Sequence, residues 1–262
     1  MKKIISPLFV ASRIFLFACF ALVYVIQGYF THLTQKDPYL RKKKYSELVN
    51  WICKLCCRFF GVRIQVLNSP AADAPGLVIG NHMGFIDILA SGSTRPMLYV
   101  TSKEMHETPV LGLLTEMGGC IYVERRSRLG IQNELKHIIQ ALQEGLNVCL
   151  YPEATSTNGE QVLPFKRTLI TAAAHAKVPI HPYVLNFKTV NGQPFSLKNR
   201  DSVCWYGDIS FVTSMVAAFS LNYVEIEIEF LPPVYPTLED DRAELADRLH
   251  SMIAKKFRPA TA

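Results

Sequence analysis

The chain is expected to fold as an α/β domain, a mixed β-sheet flanked by helices, preceded by an N-terminal pair of membrane-attached helices. Three observations carry this expectation. Short β-like runs alternate with helical periodicities from residue 61 onward. An uncharged apolar run precedes them near the N-terminus, and a basic amphipathic stretch lies between. The expected division is residues 1–60 for the helical pair and 61–262 for the α/β domain.

The N-terminal run follows Lys2 and Lys3. From Ile14 to Phe30 no residue is charged; as a helix this stretch is about 25 Å long, at the lower edge of what spans a bilayer. Arg13 at its start can snorkel to headgroups. The run is long for the apolar core of a cleaved leader, and the exit Gln27-Gly28-Tyr29-Phe30-Thr31-His32 lacks a small-x-small site, so a retained anchor is expected. Arg41, Lys42, Lys43 and Lys44 follow, then Leu48, Trp51, Ile52, Leu55 and Phe59 at one-face spacing. A basic amphipathic helix with a tryptophan suits a membrane interface as well as a core-packed surface; after an apolar anchor the interfacial reading gains. The net charge of +6 then points to an anionic surface, with the basic segments on the cytoplasmic side. No nucleic-acid motif or basic-aromatic platform is present.

Seven cysteines, an odd number, fall mostly in apolar runs, as buried thiols of a reducing compartment do. Cys53, Cys56 and Cys57 have no second Cys/His pair at metal-ligand spacing, and the histidines are scattered. No metal and no cofactor is expected.

In the α/β part, strands are expected at Val62–Leu67, Leu77–Ile79, Cys120–Val123, Asn147–Tyr151, Ile180–Phe187 and Val224–Phe230. Glutamates 225, 227 and 229 share one side of the last. Helices are expected from near Phe85, over Ser127–Glu144 with Gly145 as its cap, over Thr168–Lys177, and from about Leu238 to Phe257.

Chemistry gathers at strand ends. Leu77–Ile79 runs into Asn81-His82-Met83-Gly84-Phe85-Ile86-Asp87. Five positions do not face each other on a regular helix. With His82 in the turn and Asp87 in the first helical turn the two side chains can meet. Asp87 would then hold one ring nitrogen and leave the other to take a proton. A helix-capping aspartate beside a buried histidine fits the same heptapeptide.

His-x4-Asp resembles the first motif of the glycerolipid acyltransferase family, and three further segments resemble the others in order. Gly119-Cys120-Ile121-Tyr122-Val123-Glu124-Arg125 is similar to the second. Tyr151-Pro152-Glu153-Ala154-Thr155-Ser156 is similar to the third, usually Phe-Pro-Glu-Gly-Thr-Arg, and Val178-Pro179-Ile180-His181-Pro182 to the fourth. The resemblance covers about residues 75 to 190. It implies an O-acyltransferase that moves a fatty acyl group from acyl-CoA or acyl-carrier protein to a lysolipid hydroxyl. The foremost acceptor is 1-acyl-sn-glycerol 3-phosphate, giving phosphatidic acid, at a bacterial inner membrane with the catalytic domain on the cytoplasmic face. It implies His82 as general base, Asp87 as its orienting partner, and Asn81, Arg125, Glu153, Thr155 and Lys166 at the acceptor. Pro179 and Pro182 would shape the sheet edge and site wall.

Two positions depart from that pattern. Ala154 stands where glycine is usual, so an ordinary backbone conformation is expected there. Ser156 replaces the usual arginine and removes a cation. Either Lys166 or Arg167 compensates, or the acceptor carries no phosphomonoester. Thr155-Ser156-Thr157-Asn158-Gly159 and Trp205-Tyr206-Gly207-Asp208 resemble the lyso-ornithine lipid branch. A non-catalytic lipid-binding protein on the same fold is the alternative of another class. A hydrolase would need a nucleophile elbow, and no Gly-x-Ser-x-Gly occurs.

Overall fold

A computed structural model describes residues 6–72, 74–124 and 128–262, with the side chains of 128–130 outside the description. In chain order the elements are α1 (Pro7–Thr34), α2 (Pro38–Phe60), β1 (Val62–Leu67), β2 (Leu77–Gly80), α3 (Phe85–Thr94), β3 (Leu98–Ser102), α4 (Lys103–Glu107), α5 (Leu111–Met117), β4 (Ile121–Val123), α6 (Arg128–Gln143), β5 (Val148–Leu150), α7 (Ala172–Ala176), β6 (Ile180–Val190), β7 (Gln193–Pro194), α8 (Phe211–Phe219), β8 (Val224–Phe230) and α9 (Arg242–Ala254). Short 3-10 turns at Leu169–Thr171 and Arg200–Ser202 complete the list.

The sheet is mixed, in the order β1-β8-β6-β2-β5-β3-β4, with β7 appended to β6. β8 pairs antiparallel with β6 and parallel with β1, and β2 to β5 pair in parallel. Strand alternation divides the core into two layers. Val78, Cys149, Leu185 and Ile226 face the layer of α2, α3 and α8; Leu77, Ile79, Val148, Ile180 and Val184 face that of α6, α7 and α9. Each such fully buried aliphatic side chain contributes roughly 1.5–3 kcal/mol by leaving water. The ends of parallel β2 and β5 therefore open between two helical layers, where α/β sheets place their sites.

α1 is the one described helix long and apolar enough to cross a membrane, and only 6% of its most apolar stretch is buried. So little burial rules out an ordinary core helix. What α1 does bury, it buries against the α/β domain. Gly28 lies so close to α5 that a Cβ there would meet Met117 Cβ at 2.7 Å, and Tyr24 donates to the Leu114 carbonyl at 3.1 Å.

α2 begins at Asp37, which accepts from Leu40 N–H, and ends at Gly61 in the left-handed region. Its buried face is Tyr45, Leu48, Val49, Cys53, Cys56, Cys57 and Phe60. The periodicity had centred that face on Leu48, Trp51, Ile52, Leu55 and Phe59. Trp51 and Phe59 are instead exposed, because the three cysteines act as small hydrophobes and take the inner positions against α3. All seven cysteines are free, five buried and two half-buried.

Other expectations shift at their ends. The last helix starts at Arg242, not near Leu238, because Asp241 caps it by accepting from Ala243 and Glu244 N–H. The helix expected over Thr168–Lys177 is a 3-10 turn leading into α7, stopped by Lys177 at φ 57°. Pro182 lies in the interior strand β6 rather than at a sheet edge. It fits because the ladder to β8 begins only at Tyr183, so the missing N–H falls outside it. Of the three glutamates on β8, Glu227 is buried beside Lys188 at 3.9 Å and Arg258 at 2.9 Å.

Candidate active site

His82 leaves the end of β2 in a turn, and α3 starts three residues later. Asp87 sits at the third position of α3. Its Oδ2 accepts from the Gly84 N–H at 2.8 Å, from the Met83 N–H, and from His82 Nδ1 at 3.1 Å. The capping aspartate and the partner of the histidine are thus the same oxygen. The turn wraps back over the first turn of α3 and brings residues five apart into contact. A carboxylate only accepts, so this contact makes Nδ1 the protonated nitrogen and leaves Nε2 to take a proton. Asp87 is fully buried and its Oδ1 has no hydrogen-bond partner among the described residues; such a group is held rigidly and answers to charge on the imidazole.

The backbone of the turn is fixed from the other side. Glu153, in the loop after β5, accepts from His82 N–H at 2.7 Å through Oε1 and from Leu163 N–H at 2.6 Å through Oε2. Burial raises its carboxyl to about 7, opposed by those two N–H donors and reinforced by the charge of Asp87. Thr157 ties the same turn, N–H to the His82 carbonyl at 2.9 Å and Oγ1 to it at 3.1 Å. This loop turns through Ala154 at φ 61°. The expectation of an ordinary backbone there is overturned: Ala154 holds the left-handed region that a glycine takes without a Cβ penalty, because the Glu153 contacts fix the path on one side and Thr157 on the other.

Tyr151 forms the floor. Its ring stacks on the His82 imidazole, 4.3 Å between centroids and 15° between planes. The hydroxyl is anchored by Ser91 at 3.0 Å and Tyr183 at 3.2 Å, with Tyr99 joined to Ser91 at 2.8 Å. Neither the stack nor this hydroxyl network was legible in the sequence; a tyrosine where the family usually has phenylalanine was its only trace.

His82 lines a cavity of about 500 Å³. α1 supplies Phe17, Phe20 and Tyr24 to its wall, α2 Ile52, Cys53 and Cys56, and α5 Leu111 and Leu114. α3 adds Phe85, Ile88 and Leu89 and β3 adds Tyr99, Val100 and Thr101, while Ala154, Thr155 and Ser156 and the 205–211 segment also line it. That segment is pinned across the catalytic turn: Trp205 N–H donates to the Met83 carbonyl at 2.7 Å, and Ser156 Oγ donates to the Trp205 carbonyl. The serine that replaces the usual arginine is therefore a tether. Among the described residues no lysine or arginine lines this cavity.

The expected acceptor residues scatter. Thr155 lines the cavity. Asn81 does not: its buried amide bridges to β6, donating to the Leu185 carbonyl at 3.0 Å and accepting from the Leu185 N–H at 2.8 Å. Glu153 braces the loop instead of facing the cavity. Lys166 is exposed, with its N–H on the Pro152 carbonyl at 2.8 Å, and Arg167 lies by Asp241 at the start of α9. Arg125 lies outside the described residues. A second cavity of about 530 Å³, lined by Lys42, Lys103, Glu134 and His137, meets the first only at Cys120. Its lysines pair with Glu144 at 3.0 Å and with Glu124 and Glu134 at 3.8 and 3.9 Å.

An imidazole held by a buried carboxylate and open to an apolar cavity, with no serine, threonine or cysteine side chain hydrogen-bonded to the ring among the described residues, is the apparatus of acyl transfer to an external hydroxyl. The family model described as acyltransferase matches residues 61–186. The chain is 27% identical over 221 residues to a lyso-ornithine lipid O-acyltransferase of Brucella abortus, covering 81% of this chain and 82% of that one. It is 27% identical over 189 residues to a 1-acyl-sn-glycerol-3-phosphate acyltransferase of Neisseria gonorrhoeae, covering 71% and 72%. The crystal structure of the 1-acyl-sn-glycerophosphate acyltransferase from Thermotoga maritima superposes with a TM-score of 0.70 at 16% identity, over 98% of this chain and 96% of that one, and shares its fold. These matches support the glycerolipid acyltransferase family for this chain. It is a membrane enzyme, a lysolipid acyltransferase of the 1-acylglycerol-3-phosphate acyltransferase type.

Proposed function

We propose that the chain transfers a fatty acyl group from acyl-CoA or acyl-carrier protein to the hydroxyl of a lysolipid that carries no phosphomonoester, lyso-ornithine lipid foremost. The observation that carries this acceptor class is that no lysine or arginine among the described residues lines the wall around His82, with Ser156 spent on the Trp205 carbonyl. The first two relatives named for their acceptor agree with it.

In the reaction, His82 Nε2 takes the acceptor proton as the hydroxyl oxygen bonds to the thioester carbonyl carbon. Asp87 stabilises the imidazolium through Nδ1. Collapse of the tetrahedral intermediate breaks the carbon–sulfur bond, and the leaving thiolate takes the proton back from Nε2. The acyl chain lies in the apolar cavity between α1, α2 and α5. Residues 1–60 serve as the membrane-attached part and 61–262 as the catalytic part. The basic stretch Arg41–Lys44 holds the catalytic face to the cytoplasmic side of a bacterial inner membrane.

Phosphatidic acid synthesis from 1-acyl-sn-glycerol 3-phosphate is the second reading. The lysine-lined cavity beyond Cys120 favours it, with Lys42 and Lys103 as the cations. The test is acyl transfer by detergent-solubilised protein with both donors and a panel of lysolipids. His82→Ala and Asp87→Asn are each expected to lower turnover by about 10²–10⁴-fold. Transfer to lyso-ornithine lipid with lysophosphatidic acid poorly used is the expected result. Preference for lysophosphatidic acid moves the acceptor to the second reading. No transfer from a folded protein to any acceptor leaves a non-catalytic lipid-binding role.

A further inference from the structure

α8 has no counterpart in the sequence expectations, and its two faces differ sharply. Ser214, Ala218 and Phe219 are buried, with the Phe219 ring 5.2 Å from that of Phe17 on α1 and 4.9 Å from that of Phe60 on α2. The opposite face bares Val212 at 62% and Val216 at 38% exposure. The part of α1 that packs here also bares Leu8 and Phe15, so the apolar surface of the anchor continues onto α8.

The level of α8 relative to the anchor is set by one side chain. Arg13, at the start of the uncharged run of α1, donates to the carbonyls of Leu221 and Asn222, just past the end of α8. A guanidinium at the edge of a membrane segment sits at the headgroups. The end of α8 is therefore tied to that depth, where amphipathic helices lie with their apolar face at the acyl boundary.

We propose that α8 is a second membrane-contacting element, resting Val212 and Val216 in the headgroup boundary of the bilayer that holds α1, and that the segment leading into it forms the lipid-side doorway of the His82 cavity. The doorway follows from continuity. Trp205, Ile209 and Phe211 line the cavity, the Trp205 indole donates to the Ile209 carbonyl at 2.6 Å, and Phe211 is both a wall residue and the first residue of α8. Only the doorway rests on the lysolipid acyltransferase reading; the contact with the bilayer does not.

The test places a fluorophore on Val216→Cys, with Cys19→Ser and Cys120→Ser removing the half-buried thiols. The protein is reconstituted in phosphatidylcholine–phosphatidylglycerol vesicles with brominated acyl chains. A label at Asp247→Cys, exposed on α9 in the other helical layer, is the control. Strong bromolipid quenching at residue 216 and little at 247 is the expected result. Equal quenching at both overturns the contact, as does an unquenched label at 216 with a solution mass of two chains, which would make this face an interface between copies. In a second arm, Val212→Glu with Val216→Glu lowers the rate on vesicle-presented lysolipid by about tenfold while transfer to a short-chain lysolipid dispersed in water is kept. Equal losses on both overturn the doorway. A wild-type protein with no turnover on any acceptor sinks the enzymatic reading and leaves the quenching result standing.

Discussion

The backbone N–H of His82 donates to Glu153 Oε1 at 2.7 Å, joining the turn after β2 to the loop after β5. Glu153 uses both oxygens as acceptors, the second from Leu163 N–H; a hydroxyl oxygen still accepts when the carboxyl is protonated, whereas an amide nitrogen does not. Glu153→Gln keeps the shape and turns an NH₂ onto one of these N–H groups. The lost hydrogen bond and exposed clash cost about 1–3 kcal/mol of stability and displace His82. Turnover measured on the best acceptor should fall at least about tenfold, with KM changing less than kcat.

The same carboxyl makes stability depend on pH with a definite sign. Its pKa rises from the usual carboxylate range to about 7 in the folded chain, chiefly through burial. The folded state holds this proton more tightly than the unfolded one, so its contribution is complete below about pH 4.3 and is lost as pH rises through 7. Denaturation at several pH values should show the stability gap between wild type and Glu153→Gln narrowing between pH 4.5 and 7, by on the order of 2–3 kcal/mol. A gap that widens over this range would show that Glu153 is ionised throughout.

Ala154 carries a Cβ in the left-handed region at φ 61°. Ala154→Gly removes a cost of about 1–2 kcal/mol and adds about 0.5–1 kcal/mol of chain entropy. The variant should gain about 0.5–1 kcal/mol and melt about 1–3 °C higher, with activity kept.

Tyr151→Phe keeps the ring on His82 and removes the bonds to Ser91 and Tyr183. Activity within about fivefold of wild type and a loss of about 1 kcal/mol are expected. Tyr151→Leu removes the aromatic face stacked on the imidazole, so kcat should fall well below that of Tyr151→Phe. Equal kcat in the two variants, with lowered expression of Tyr151→Leu, would make the ring a packing element only.

The catalytic turn was legible because its signals are local: an apolar strand, a five-residue separation that only a turn-to-helix junction can close, and a capping carboxylate. Contacts that cross the chain were not. Ser156 reads as a lost cation and is found tethering Trp205, forty-nine residues away. Asn81 reads as a ligand of the acceptor and is found stitching β2 to β6. α6 and β8 announced themselves by periodicity, whereas β3, the α4–α5 pair and α8 are too short or too evenly apolar to do so. The inner face of α2 was set by cysteines, which pattern reading weighs below Trp51 and Phe59. Least visible was the part α1 plays in the cavity, since a side chain facing lipid and one facing a bound acyl chain are chosen by the same chemistry.

Phe17, Phe20 and Tyr24 belong at once to the anchor and to the wall around His82, and Gly28 seats the anchor on α5 without a gap. Such an anchor works as a keel and not as a leash. Contacts along its length oppose a swivel of the domain about the anchor and favour one height and one heading for the mouth of the cavity. A lipid reaching it by lateral diffusion need search only two dimensions, and arrives with its tail already pointing the way it must enter.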